Sequence, residues 1–293
     1  MGQKAADIRE SLIAGSWYPG QAETLRQTIV DFLAAVEPQP LEGQLMGLIA
    51  PHAGYVYSGQ VAACAYRQLQ AAEETARSLE LVVVISPLHR RPLGEYVTSQ
   101  AACYRTPLGL VPLDALAVDE LDAAVGLQRA AFDNEHSLEI QLPFLQVVLA
   151  EFKLLPVMMG SQSLHACQRL AAALAVILRG RSALLVASTD LSHFYTYDHA
   201  VRLDRQALTY IDAFDPEGLA QALHNGKAEA CGGGPVVATM LAARALGANE
   251  ARILHYANSG DVTGDRSSVV GYAAGAIYRG KISFQKVGAR SAI

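Results

Sequence analysis

The sequence has little cysteine, and that restricts the sites it can build. Its 293 residues include four cysteines, Cys64, Cys103, Cys167 and Cys231, and no two of them form a CxxC pair. A disulfide framework and a zinc knot of paired cysteines are therefore both disfavoured. Any cysteine chemistry is expected to be that of a single thiol.

Charge is also sparse, at 17% of residues with a formal net charge of -5. No cluster of Lys and Arg forms a basic face for phosphates, so a nucleic-acid partner is not expected. No apolar run approaches the roughly 18 residues that span a bilayer, and the opening segment lacks the apolar core of a secretory signal. These features predict a cytoplasmic chain with no membrane partner.

Several familiar catalytic motifs are missing: the HExxH zinc signature, the GxSxG elbow and the phosphate-binding loop. Short apolar runs, which alternate with helical patterns, are present instead. This alternation predicts an α/β fold, with a mixed or mostly parallel sheet flanked by helices, and one domain over residues 1–293. The predicted strands lie near 45–50, 81–86, 154–158, 183–188, 252–257 and 268–278.

Three of these strands end close to residues that can bind a metal. His52 follows the first strand, His89 follows the second, and Asp190 and His193 follow the run ending at 188. Open α/β sheets place their chemistry just past the carboxyl ends of strands, so these segments can converge on one crevice. Two imidazoles there suit iron, copper or zinc, although each His alone can equally be a hydrogen-bonded loop residue.

Cys231 stands before three glycines and a helical pattern, where the helix dipole favours a thiolate. It can serve as a metal ligand or nucleophile, or can simply be a small buried residue beside a tight turn. Asp190 and His193 can form an acid/base pair, and Asp190 can alternatively cap a helix. His136 is expected near the start of a helix over 136–150, where capping and catalysis are equally good interpretations.

Motifs along nearly the whole chain resemble those of the Memo family, also known as the AmmeMemoRadiSam system protein B group. This family is similar in fold to class III extradiol dioxygenases, which are non-haem iron enzymes. The segments that carry the resemblance are GSWYP (15–19), APHAGYVYSG (50–59), SPLH (86–89), YRTPLG (104–109), NEHSLEIQLPFL (134–145), STDLSHF (188–194), CGGGP (231–235) and YANSGDVTGDRSSVVGYAAG (256–275).

The resemblance implies a metal pocket built from His52, His89 and Cys231. It also implies that Asp190 and His193 flank this pocket, with His136 in the place of an acid/base histidine. The dioxygenases use a carboxylate as third ligand where this chain has a thiol, and a softer sulfur ligand moves metal preference toward copper.

Two functions follow as hypotheses. The first is a metal-binding redox protein, dioxygenase-like, with iron as the leading metal, copper next and zinc third, acting on an unknown small-molecule substrate. The second is a non-catalytic binding or scaffold module that retains the pocket and binds a protein or peptide. A metal-independent hydrolase using Cys231, with His193 as its base, is a third interpretation.

Overall fold

The computed structural model describes residues 8–37, 39–72, 78–90, 93–149 and 151–281. Over these ranges strands and helices alternate, which confirms the predicted fold class. The strands are β1 Ile8–Arg9, β2 Gly43–Ala50, β3 Leu81–Pro87, β4 Tyr96–Ser99, β5 Cys103–Thr106, β6 Gly109–Pro112, β7 Gln128–Ala130, β8 Lys153–Met159, β9 Ala183–Ser188, β10 His193–Tyr195, β11 Glu250–Asn258 and β12 Val269–Gly280.

The helices occupy the segments between these strands. They are α1 Ala22–Ala34, α2 Tyr55–Ala71, α3 Ala115–Val125, α4 Leu142–Val148, α5 Leu164–Ile177, α6 Tyr197–Asp212, α7 Pro216–His224, α8 Gly233–Ala245 and α9 Ser259–Thr263, with a 3-10 turn at Glu139–Gln141. No helix in the described ranges is long and apolar enough to cross a bilayer.

The main sheet has nine strands among the described residues, in the order β10-β12-β2-β9-β3-β8-β4-β7, with β11 paired to β12. Strands β2, β9, β3 and β8 run parallel in its centre. Strands β12 and β4 are antiparallel to their neighbours β2 and β8, so the sheet is mixed. A separate three-stranded sheet has the order β1-β5-β6.

The central strand β3 shows why the sheet is covered on both faces. All of its residues are buried. Val83 and Ile85 pack in one apolar core and Val82 and Val84 in another, as the two-residue repeat of a strand requires. A two-sided core of this kind favours parallel strands with continuous apolar sequence. The prediction of one domain over 1–293 extends beyond the described residues and stays a prediction.

The helix expected over 136–150 begins later than the sequence pattern indicated. Residues 131–138 are not helical, because carboxylates take the backbone N–H groups that a helix would use. The Asp133 carboxylate accepts from the N–H of Glu135 at 2.8 Å. The Glu135 carboxylate accepts from the N–H groups of His136 and Ser137 at 2.9 and 3.1 Å. His136 therefore lies in an extended loop and not on a helix.

Candidate metal centre

Parallel strands bring His52, His89 and Asp190 to the same edge of the sheet, as the strand-end argument predicted. A loop histidine, His136, joins them: one ligand atom from each of His52, His89 and His136 lies within 4.8 Å of the others. The ring centroids of His52 and His89 are 5.2 Å apart, and those of His89 and His136 are 4.9 Å apart. These three imidazoles, called here the histidine cluster, can hold a metal ion.

The hydrogen bonds of His52 determine which of its nitrogens carries a proton. Its Nδ1 lies 3.0 Å from the Ser188 hydroxyl, which donates its own proton to the Ser137 carbonyl at 2.6 Å. The hydroxyl has only one proton, so Nδ1–H must be the donor to Ser188. Burial, with the nearby His136 and His89, lowers the pKa of His52 well below its usual value. His52 is therefore neutral, with an unprotonated Nε2.

His89 has the same tautomer for a different reason. Its Nδ1 lies 3.0 Å from Oε1 of Glu135, and its backbone N–H donates to Oε2 at 2.7 Å. Burial alone would raise the pKa of Glu135, but the hydrogen bonds from His89 and Ser137 leave it well below its usual range. The ionised carboxylate can only accept, so Nδ1–H of His89 donates, and in the neutral imidazole the lone pair lies on Nε2.

His136 is the half-buried member of the histidine cluster. Burial is the largest effect on its pKa and lowers it to about 4, although Glu135 acts in the opposite direction. Its Nδ1 makes no aligned hydrogen bond among the described residues but lies 3.2 Å from Oε1 of Glu135. The ring lies against Trp17, with 4.3 Å between centroids. A neutral imidazole offers one nitrogen lone pair to a metal ion.

Cys231 lies next to the histidine cluster, outside the group of mutually close ligand atoms. Its Sγ is 3.1 Å from Nε2 of His52 and accepts from the Asp190 N–H at 3.3 Å. Because Nε2 is unprotonated, the thiol is the donor in the contact with His52. Burial, and then the nearby Asp190, raise the pKa of the thiol above its usual value. In the metal-free chain this outweighs the helix dipole that was expected to favour a thiolate.

Glycines after Cys231 allow its close approach to the sheet edge. A Cβ on Gly232 would lie 2.2 Å from the Ser188 carbonyl oxygen, and one on Gly234 would lie 2.7 Å from Cβ of Gln162. Helix α8 begins at Gly233, so the sulfur lies just ahead of its first turn. In the described hydrogen bonds the Cys231 thiol contacts His52, and the predicted role of His193 as its base stays a prediction.

Asp190 and His193 also lie at this edge. The Asp190 carboxyl accepts from the His52 N–H at 2.8 Å, and its other oxygen is 3.9 Å from Nε2 of His52. Burial raises the pKa of Asp190 to about 7, against the lowering effect of backbone hydrogen bonds from His52 and Ala53. Burial also lowers the pKa of His193. The predicted roles of both residues in proton transfer stay predictions.

The raised pKa of Asp190 has a measurable effect on stability. Its folded-state pKa of about 7 exceeds the ordinary value of 3.8, so folding is penalised as pH rises from about 4 to 7. In metal-free protein, Asp190→Asn should therefore gain about 2–4 kcal/mol of unfolding free energy relative to wild type between pH 4 and pH 8. Urea unfolding at both pH values measures the change. If the difference in unfolding free energy between the two proteins were the same at pH 4 and pH 8, the raised pKa of Asp190 would be contradicted.

A chamber of about 380 Å³ opens above the histidine cluster, which forms its floor together with Asp190 and His193. Its walls are largely apolar and include Trp17, Tyr57, Val270 and Tyr272. A chamber with apolar walls and a few convergent polar groups is typical of small-molecule sites. The larger cavity of about 760 Å³ lies elsewhere, and none of the described residues lining it is His or Cys.

Sequence reasoning did not assign several of these residues. Trp17 is the only tryptophan of the chain, and its motif GSWYP was noted solely for its family resemblance. Glu135 lies just before the expected helix start at 136, and its carboxylate orients His89. Ser188 is the last residue of β9, and its hydroxyl accepts from Nδ1–H of His52. Their positions in the sequence offer no local signal for these contacts.

Comparisons with known proteins agree with this architecture. The profile of a family described as Memo-like protein matches residues 9–276. A MEMO1 family protein of Methanopyrus kandleri is 36% identical over 286 residues, which cover 93% of this chain and 99% of that protein. One of Methanothermobacter thermautotrophicus is 39% identical over 277 residues, covering 91% and 99%.

A solved structure shows the same fold. The crystal structure of an uncharacterized protein from Escherichia coli K12 matches with a TM-score of 0.50 at 13% identity, over 79% of this chain and 99% of that one. At this identity the likeness concerns the fold alone. The family profile and the similar sequences confirm the resemblance seen in the motifs, and the chain belongs to the Memo family.

Proposed function

We propose that this chain is a metal-dependent redox protein whose ion binds at His52 and His89 through their Nε2 atoms. The observation that carries the proposal is the pair of tautomers at these residues. Ser188 and the Glu135 carboxylate each accept from an Nδ1–H, which places the lone pair of each neutral imidazole on Nε2. Histidines that bind metals are commonly oriented by such partners.

The proposed donor set is completed by His136 and Cys231. His136 is the third imidazole of the histidine cluster. The Cys231 thiol donates to Nε2 of His52 at 3.1 Å, so its proton points at the lone pair that would bind the ion. An ion that displaces this proton would have sulfur and nitrogen as neighbouring ligands, because metal binding deprotonates thiols.

Nitrogen and sulfur donors select transition metals and disfavour Mg²⁺ and Ca²⁺, which prefer oxygen. Iron is the leading candidate, copper the next and zinc the third. Iron or copper, when bound, would supply one-electron or oxygen chemistry at the chamber floor.

The remaining residues suit a small-molecule reaction. The Asp190 carboxyl, 3.9 Å from Nε2 of His52, is placed to hold or release a proton near the ion. His193 lies in the same chamber and can share this role. The walls formed by Trp17, Tyr57 and Tyr272 would exclude water around a substrate.

Metal loading with Co²⁺ tests the donor set. Wild-type protein should bind about one Co²⁺ per chain and show a thiolate-to-cobalt absorption band, since a bound thiolate is deprotonated. Cys231→Ser should still bind Co²⁺ through the imidazoles but lack this band. Cys64→Ser is the matched control, because that thiol lies in α2 and donates to the Gln60 carbonyl. Failure of wild type to bind Co²⁺, or an unchanged spectrum in Cys231→Ser, would contradict the assignment.

The redox part of the proposal is tested on the same protein loaded with Fe²⁺ or Zn²⁺. The Fe²⁺ form should consume oxygen when a substrate or reductant is supplied, and the Zn²⁺ form should not, because Zn²⁺ has no redox chemistry. Equal oxygen uptake by the two forms would argue against a redox role while leaving metal binding intact.

A further inference from the structure

One short segment supports the whole histidine cluster. We call residues 133–141 the support loop. Within it, Glu135 accepts from Nδ1–H of His89. The next residue, His136, is itself a cluster member.

The same segment also supports the third imidazole, His52. Its Ser137 carbonyl and Gln141 amide hold the Ser188 hydroxyl at 2.6 and 2.8 Å, and this hydroxyl accepts from Nδ1–H of His52. The position of the support loop therefore sets the position of all three imidazoles.

Arg9, which lies outside the support loop in the sequence, hydrogen-bonds to it. Its guanidinium makes two bonds to the Asp133 carboxylate, at 2.8 and 2.7 Å. It also donates to the Glu139 carboxylate at 2.7 Å and to the Glu135 carbonyl at 2.6 Å. The side chains are 10% exposed for Arg9, 2% for Asp133 and 0% for Glu139. The buried Arg9 guanidinium therefore connects Asp133 and Glu139 of the support loop to residues 9–18, called here the N-terminal segment.

Glu139 extends this connection along the N-terminal segment. Its carboxylate accepts from the hydroxyls of Ser11 and Tyr18 at 2.6 and 2.8 Å, and from the N–H of Leu12 at 3.0 Å. Tyr18 is preceded by Trp17, whose ring lies against His136. The N-terminal segment and the support loop are consequently one hydrogen-bonded unit around the cluster.

We propose that Arg9 is a positioning residue for the metal centre, acting through the support loop although it contacts none of the three imidazoles in the hydrogen bonds described. This inference rests on the proposed metal binding. Without Arg9 the buried Asp133 and Glu139 carboxylates would have no positive charge between them and would repel each other. The two parts of the support loop that carry them would then move apart. Because the cluster needs exact ligand orientation, metal affinity would fall.

The experiment compares Co²⁺ affinity in wild type and Arg9→Met, by competition with a chelating dye, alongside urea unfolding of each. Arg9→Met should bind Co²⁺ about 10-fold more weakly, in line with other residues that orient metal ligands. Its Co²⁺ absorption spectrum should also change, because the imidazoles shift. A general loss of stability would alter neither readout in the folded protein.

Arg169→Met is the matched control. The Arg169 guanidinium also lies over a tyrosine ring, that of Tyr96 at 5.6 Å, as Arg9 lies over Tyr104 at 4.8 Å. Arg169 bonds one carboxylate, Glu95, where Arg9 bonds two, and like Arg9 it bonds one backbone carbonyl. None of these contacts involves the support loop, so this variant should keep the wild-type Co²⁺ affinity. The Arg169 side chain is 40% exposed, so this variant should lose less stability than Arg9→Met.

Two milder variants keep the test decisive if Arg9→Met does not fold. Tyr18→Phe removes one donor from Glu139 without stranding a charge, and its affinity should fall between those of wild type and Arg9→Met. Arg9→Lys keeps the charge but not the two-pronged geometry, so it should recover only part of the affinity. Wild-type affinity in Tyr18→Phe and Arg9→Met would overturn the role of Arg9 alone. Absence of Co²⁺ binding by wild type would overturn the proposed function and this inference together.

Discussion

Replacing His52 by alanine is expected to abolish metal binding, with a fall in affinity of more than about 100-fold, beyond the loss typical of residues that only orient ligands. His52 is 2% exposed and its Nε2 faces Cys231 at 3.1 Å, so it is the donor that connects the imidazoles to the sulfur. Metal content after loading with Fe²⁺ or Co²⁺ and dialysis gives the result.

The control for this variant is His165→Ala. His165 lies in α5 and is exposed, and it does not belong to the histidine cluster. Its replacement should leave metal content at the wild-type level. Circular dichroism must show that His52→Ala is folded. A folded His52→Ala protein that still bound a full complement of metal would rule out the proposed centre.

The second large effect is expected from Glu135→Gln, which should lower metal affinity by about 10- to 100-fold. The Glu135 carboxylate accepts from Nδ1–H and the N–H of His89, and from the N–H groups of His136 and Ser137. A glutamine supplies one acceptor oxygen and one NH₂ donor, so one of these donors would meet another donor.

Where the NH₂ replaces Oε1, which faces Nδ1 of His89, this nitrogen must become the acceptor and the proton must move to Nε2. His89 would then lose the lone pair that binds the ion. Nitrogen chemical shifts of His89 in metal-free protein report the tautomer directly, and chelator competition reports the affinity. The expectation fails if the tautomer inverts and affinity stays at the wild-type value.

Glu229→Gln is the matched control for this substitution. Glu229 also accepts a backbone N–H from a histidine, His193, at 3.1 Å. That histidine lies beside the cluster and outside it. A loss of affinity in Glu229→Gln equal to that in Glu135→Gln would show that a nearby negative charge matters and the orientation of His89 does not.

Much of the fold followed from local patterns in the chain. The apolar runs near 81–86 and 183–188 became the parallel strands β3 and β9. These predictions succeeded because hydrophobic periodicity acts over a few residues. The helix at 136–150 was misplaced because the side chains of Asp133 and Glu135 competed for its backbone N–H groups.

The site was predictable only in part, and for a related reason. His52, His89 and Asp190 follow parallel strands, whose carboxyl ends meet at one edge, so their convergence could be expected. The contacts of Glu135 with His89, of Ser188 with His52 and of Arg9 with Glu139 join segments 46, 136 and 130 residues apart. No local pattern encodes such pairs.

The sequence by itself determined the α/β class, the strand ends that carry metal-binding side chains, and the family. Each of these depends on residue order over short spans or on matching motifs. Only the tertiary structure decided that His136 joins His52 and His89, which nitrogens are unprotonated, and that Cys231 donates to His52. Those properties depend on distances of about 3 Å between remote segments, because a proton's location is set by the hydrogen-bond partner that packing supplies.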